Sequence, residues 1–194
     1  MCDARVERPA DAINNIDLAM KRSFDNGRTW QPLKILGDLP GQQAAADPSM
    51  LVDRTTDTIW IVYDYVLDKL LSSDLRKQER RAIALHLLHS RDDGQTWSEA
   101  TDITQTVTRP GWEAVMAAPG RGIQTRAGRL IFPVYSRQPD QDYSHLLSSN
   151  DHGKTWQISS SAARMVNECQ VAELKDGSLM LNMRSYRDKG CRAV

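Results

Sequence analysis

The chain has 194 residues, 40% of them hydrophobic, and its 25 basic and 25 acidic side chains cancel to a formal net charge of zero. Such a length can bury a sizeable core, and the balanced charge argues against non-specific binding to nucleic acid or a polybasic hold on a membrane. No apolar run approaches the ~20 residues of a membrane-spanning helix, and the opening Met1-Cys2-Asp3-Ala4-Arg5 lacks the apolar core of a signal peptide. Three widely spaced cysteines, Cys2, Cys169 and Cys191, suit neither a disulfide framework nor a zinc site.

In chain order, residues 16–22 alternate as a strand and run into Ser23-Phe24-Asp25-Asn26-Gly27-Arg28-Thr29-Trp30. The frame Ser-x-Asp-x-Gly-x-Thr-Trp returns at Ser90 and again at Ser149, with starts 67 and 59 residues apart. Its parts suit a turn between strands: the Asp carboxylate accepts backbone N–H bonds across a tight loop, the Gly permits a positive φ, and Thr and Trp favour the strand that follows. The box is therefore predicted to be a hairpin turn whose Asp is structural, with the chain from Trp30 onward as the antiparallel partner.

Residues 48–53, a turn at 54–57 and the almost wholly apolar Thr58-Ile59-Trp60-Ile61-Val62-Tyr63 form a second hairpin with a buried return strand. Residues 67–81 are densely charged and read as a solvated loop or short helix, after which residues 82–89 form a strand entering the second box. The cycle repeats: residues 122–124 and 130–135 make a hairpin, and residues 143–148 lead into the third box. Residues 168–174 and 178–184 make a last hairpin, and at 191–194 the next strand should be starting.

The unit is thus four strands, A-B-C-box-D, with a period of about 45 to 65 residues, the pattern of an all-β propeller. Residues 1–194 read as one domain of about three blades: strands C and D of one blade, two complete blades, and strands A and B of a fourth. A propeller closes only as a ring of several blades, so the natural protein is expected to continue on both sides.

Alternating strand direction assigns residues to ends of the blades. Starts of A and C and ends of B and D share one rim, and the boxes lie on the other. Arg5 stands where a B strand would end, Asp11 precedes strand C, Asp47 precedes an A strand, Glu168 begins another, and Arg184 ends a B strand. All five fall on the rim away from the boxes, near an axis lined by A strands, and function on such folds collects in the loops at one mouth. Singly, each has a plain alternative: a loop aspartate beside a Pro, or a surface ion pair worth no more than about 1 kcal/mol. His86 and His89, three apart in a strand, would point to opposite faces and do not make a metal site.

With those residues in view, the chain resembles the exo-α-sialidases, the six-bladed Asp-box propeller family of retaining neuraminidases. The resemblance is carried by the boxes and by Asp3-Ala4-Arg5 followed by Asp11, Asp47-Pro48, Pro119-Gly120-Arg121-Gly122-Ile123-Gln124 with Gly128-Arg129-Leu130, and Asn167-Glu168-Cys169-Gln170-Val171 leading to Asn182-Met183-Arg184-Ser185. It implies that Asp11 is the acid/base, that Glu168 draws the proton from a nucleophilic tyrosine, and that Arg184 is one arm of an arginine triad that clamps the sialic acid carboxylate. It further implies that Arg5 and Asp47 stand around the carboxylate and the C4 hydroxyl, and that Gln124 and Tyr135 shape the pocket for the N-acyl and glycerol groups. A carboxylate substrate repels a carboxylate nucleophile, which is why a neutral tyrosine serves, and a planar guanidinium meets a carboxylate through two parallel bonds.

The implied substrate is a sialylated glycan, with no cofactor, no metal and no nucleic-acid partner; oligomeric state stays open. An extracellular or periplasmic setting is favoured, with any export signal outside this chain. The tyrosine and two of the triad arginines match nothing here, so residues 1–194 alone are expected to give no turnover. The alternative from another class is a non-catalytic Asp-box propeller that binds glycan or protein. A cysteine hydrolase built on Cys169 is disfavoured, because Cys169 follows Glu168 in a strand and would point away from its cavity.

Overall fold

The computed structural model describes residues 1–7, 9–10, 14–39, 41, 43–67, 83–187 and 191–194. The charged stretch read as a loop or short helix lies outside them apart from Leu67, and so does Asp11. Among the described residues strands dominate, with one helical turn, α1 (Thr104–Val107), and no helix is long and apolar enough to cross a membrane.

The strands group into propeller blades. Blade I holds β1 (Cys2–Arg5), β2 (Ile16–Met20) and β3 (Lys34–Gly37), with β1 and β3 antiparallel to β2 on its two sides. Blade II is β4 (Ala44–Asp53), β5 (Thr58–Val66), β6 (Ile83–Ser90) and β7 (Thr101–Asp102), an antiparallel meander. In blade III the A strand is divided into β8 (Ala114–Ala117), β9 (Gly120–Arg121) and β10 (Ile123–Gln124). The rest of that blade is β11 (Leu130–Arg137), β12 (Asp142–Ser149), and the short β13 (Gln157–Ile158) and β14 (Ala163–Arg164), both paired with β12. Blade IV contains β15 (Val166–Glu173), β16 (Leu179–Ser185) and the beginning of a third strand, β17 (Arg192–Ala193). The sequence pattern foresaw these hairpins; β1, the B strand of blade I, adds to the strands it identified.

Core forms where blades face one another. Leu51, Trp60, Val62, Leu85 and Leu87 of blade II meet Val115, Leu130, Phe132, Val134, Leu147 and Trp156 of blade III in one apolar cluster. A second cluster joins Leu18 of blade I to Ala45, Ile61, Tyr63 and Leu88, and a third joins Ala118 to Val166, Cys169 and Met183. Residues on both faces of β5 are buried because a blade packs on each side, which is why its sequence is a continuous apolar run and not an alternating one.

The three boxes share one bonding scheme. In the first, Ser23 Oγ donates to Asp25 Oδ1 (2.8 Å) and accepts from Gly27 N (2.7 Å), while Asp25 accepts from Thr29 N (2.8 Å) and Thr29 Oγ1 (2.6 Å). Ser90/Asp92/Thr96 and Ser149/Asp151/Thr155 repeat it. Each Gly has a positive φ (85°, 77° and 84°), and so has the residue before it: Asn26, Asp93 and His152. The box tryptophans differ in burial. Trp156 is buried with its ring centroid 5.8 Å from that of Trp60 in blade II, in an edge-on arrangement, whereas Trp30 is 58% exposed.

Near the axis the A strands approach each other. β9 runs parallel to β4, and Gly122 N donates to Met50 O (3.0 Å). Gln170 of β15 donates from Nε2 to Pro119 O (2.7 Å) and fills the space beside Gly120, where any Cβ would lie 2.4 Å from that nitrogen. With φ at 135°, Gly120 also holds a backbone conformation that residues with a side chain rarely adopt.

Candidate active site

The A strands of blades II and IV are irregular near their starts, on the rim away from the boxes, and that of blade III further along. In β4 the pairs Ala46–Asp64 and Ser49–Val62 leave Asp47 and Pro48 opposite the single Tyr63. Pro48 has no N–H for the ladder, and Asp47 adopts φ 53°, so the strand bulges there. In β15 the pairs Val166–Ser185 and Cys169–Met183 leave Asn167 and Glu168 opposite the single Arg184. The detour in blade III occupies residues 118–122, between the pairs Ala117–Val134 and Ile123–Ile131.

The bulge in blade IV builds the clearest polar constellation. Arg184, its side chain 47% exposed, places Nη2 2.9 Å from Glu168 Oε1 and donates from Nε to Asn167 Oδ1 at 2.9 Å. Nε and Nη2 form one edge of the planar guanidinium, so both protein partners lie on that edge. Among the described residues nothing bonds to Nη1, which leaves the outer edge open to a carboxylate. Cys169, next in the strand, turns into the core, where burial pushes its thiol up to about 11.

Blades I to III supply a second group. Asp47 N donates to Asp3 Oδ1 (3.1 Å), and Arg5 Nη2 lies 3.8 Å from Asp3 Oδ2. Asp64, buried at the end of β5, accepts from Ala117 N at 2.7 Å. Burial, with Asp47 nearby, raises the Asp64 carboxyl well above the usual carboxylate range; the Ala117 bond opposes the rise and Asp3 adds to it. The buried Tyr135 stays a neutral phenol: burial raises it first, and then the negative charges of Asp64 and Asp47.

A third set joins blades III and IV. Arg137 Nε lies 3.1 Å from Asp142 Oδ1, and Tyr186 donates its hydroxyl proton to Asp142 Oδ2. Burial and that bond both raise the Tyr186 phenol. Ser144 Oγ donates to Asn167 O (2.8 Å), which ties β12 to the bulge.

Of the residues singled out from the sequence, the structure pairs Glu168 with Arg184 and, separately, brings Asp3, Arg5 and Asp47 together, with Tyr135 electrostatically coupled to Asp47. Gln124 does not join them. Strand A of blade III begins at Ala114, so Gln124 is at its far end, on the rim of the boxes. There it donates from Nε2 to Asp53 Oδ1 (2.7 Å) and accepts from Arg54 N (2.9 Å), both at the A–B turn of blade II and away from the rim of Glu168 and Arg184. Asn167, Asp64, Asp142 and Tyr186 were not singled out. Asp64 had a signal, since it is a lone carboxylate extending an apolar run and such residues are rarely buried without a purpose. Among the described residues, no three His, Cys, Asp or Glu side chains gather to hold a metal ion.

A family model described as "BNR repeat-like domain" matches residues 12–194. Among curated proteins, a sialidase of Bacteroides fragilis (strain YCH46) is 36% identical over 208 aligned positions, covering 99% of this chain and 38% of the relative. A sialidase of Micromonospora viridifaciens is 32% identical, covering 95% of this chain and 30% of that protein. Among solved structures, a Hadza microbial sialidase superposes with a TM-score of 0.86 at 36% identity, over 98% of this chain and 40% of that one. Trypanosoma rangeli sialidase in complex with the inhibitor DANA shares the fold, with a TM-score of 0.82 at 20% identity over 98% of this chain and 32% of its own. The chain therefore spans 30–40% of the length of these proteins.

Proposed function

The chain belongs to the BNR repeat-like domain family, and from that membership we propose that it is part of a six-bladed exo-α-sialidase that releases terminal sialic acids from glycoconjugates with retention of configuration. The observation that carries the reading is the half-exposed Arg184, fixed on one edge by Asn167 and Glu168 and open on the other. An open guanidinium edge receives a carboxylate through two parallel charge-assisted bonds. Relatives at 36% and 32% identity bear the name sialidase, which gives that carboxylate an identity.

On this reading the sialic acid carboxylate sits on Arg184. Glu168 takes the proton of a tyrosine nucleophile that lies outside this chain, because a phenol with an ordinary pKa near 10 needs a base. Asp11 protonates the departing glycosidic oxygen and then activates the water that resolves the intermediate. Arg5 and Asp47 line the pocket around the carboxylate and the C4 hydroxyl, with the neutral Tyr135 beside them.

The test uses the complete protein with a fluorogenic α-sialoside. Hydrolysis is expected, with the α anomer of sialic acid as the first product by proton NMR. Each charged hydrogen bond contributes about 1.5–3 kcal/mol, so losing two in Arg184→Ala should lower kcat/KM by about 10²- to 10⁴-fold. Absence of hydrolysis by the wild type, or an Arg184→Ala enzyme as active as wild type, would overturn the reading.

A further inference from the structure

Asn167 and Glu168 are consecutive, and in a regular strand consecutive side chains point to opposite faces. Here both reach Arg184, at 2.9 Å each, because the bulge sets two residues of β15 against one of β16. The bulge is anchored on three sides. Met165 adopts φ 58° just before the strand, Met165 N donates to Asp142 O (3.0 Å), and Tyr186 N donates to Met165 O (3.0 Å). From the neighbouring blade, Ser144 Oγ holds Asn167 O (2.8 Å). Asn167 is itself buried, at 3% exposure, so its amide has little freedom to turn away.

We propose that Asn167 is a positioning residue that sets the orientation and the usable charge of Arg184, with its amide oxygen chosen over a carboxylate. This rests on the reading of Arg184 as the carboxylate clamp. The Nε–H can only donate, so the atom facing it is the amide oxygen. Glu168 holds Nη2, and with Nε pinned as well the guanidinium plane cannot rotate about the Glu168 contact. Charge argues for the same assignment. Glu168 already supplies one negative charge to Arg184; a second carboxylate at residue 167 would leave the trio net negative and repel an incoming anion. A neutral acceptor fixes the plane and keeps the trio balanced before the ligand arrives.

The experiment compares Asn167→Asp and Asn167→Ala in the complete protein. Asn167→Asp keeps an acceptor for Nε and adds a charge. KM for an anionic sialoside should rise about tenfold with a smaller fall in kcat, the size expected from weakening one charged contact. Inhibition by the uncharged methyl ester of sialic acid should change less than twofold, a contrast that a merely structural role would not produce. Asn167→Ala, or Asn167→Ser where the alanine variant does not fold, should also raise KM, and its crystal structure should show Arg184 swung off the Glu168 edge. Unchanged KM in Asn167→Asp, or equal losses for charged and uncharged ligands, would overturn the proposal. If the wild-type protein cleaves no sialoside, the functional reading fails and the crystal structure decides: an Arg184 that keeps its wild-type pose in Asn167→Ala or Asn167→Ser refutes the positioning, and a displaced one upholds it.

Discussion

Asp53 shows how much one residue can join. Its side chain is fully buried at the end of β4, and it accepts from Thr55 N (2.9 Å), Thr56 Oγ1 (2.9 Å) and Gln124 Nε2 (2.7 Å), with His152 Nδ1 at 2.8 Å. Burial works to raise its carboxyl, but these bonds outweigh burial and hold it below the usual range. Asp53→Ala would strand several donors at once and should lower unfolding free energy by about 3–5 kcal/mol, read from the midpoint of urea denaturation. The bonds to Thr55 and Thr56 belong to the turn that the sequence marks, but the other two were not legible, because Gln124 and His152 lie 71 and 99 residues away and nothing local announces them. Gln124 illustrates the converse. The resemblance drew it toward the pocket, and locating the true start of its strand at Ala114 sends it to the opposite rim.

Hairpins were legible because turn chemistry and strand pattern agree at each box. Their carboxylates yield a pH dependence with a definite sign. The pKa of each of Asp25, Asp92 and Asp151 is lowered from 3.8 to about 2, first by the Thr hydroxyl, then by the Thr backbone N–H and the Ser hydroxyl. A folded pKa below the unfolded one means the stabilisation is complete above about pH 4 and is lost as pH falls toward 2. The raised carboxyls of Asp64 and Asp17 act in the opposite sense, since they destabilise the fold once ionised, but a folded pKa above the unfolded one exerts its effect mainly above about pH 4, outside this window. Thermal midpoints should therefore drop between pH 4 and 2, and Asp92→Asn should flatten that slope; an unaltered slope would contradict the assignment. Bulges were the illegible elements. Alternation assigns Asn167 and Glu168 to opposite faces, and only the partner register shows two residues answering one at Arg184 and again at Tyr63. That miscount separates a site read as Glu168 plus Arg184 from one that also includes Asn167.

At the scale of the molecule, the candidate rim is assembled from all four blades: Arg5 from blade I, Asp47 from blade II, Tyr135 from blade III, and Glu168 with Arg184 from blade IV. No single sheet contains these residues, so their mutual geometry depends on how the blades pack. Cys169 reports on that packing. It lies directly beneath the bulge, in the seam between blades III and IV, with Sγ 3.8 Å from Val134 O, whereas Cys2 and Cys191 are exposed. At pH 8 a thiol-specific reagent in excess should modify two sulfhydryls within the mixing time and the third far more slowly, because a buried group with a pKa of about 11 offers almost no thiolate. Immediate modification of all three would show that the seam is not closed in solution. Otherwise the lag of the third thiol is a clock for separation of blades III and IV, readable on the wild-type sequence without substrate.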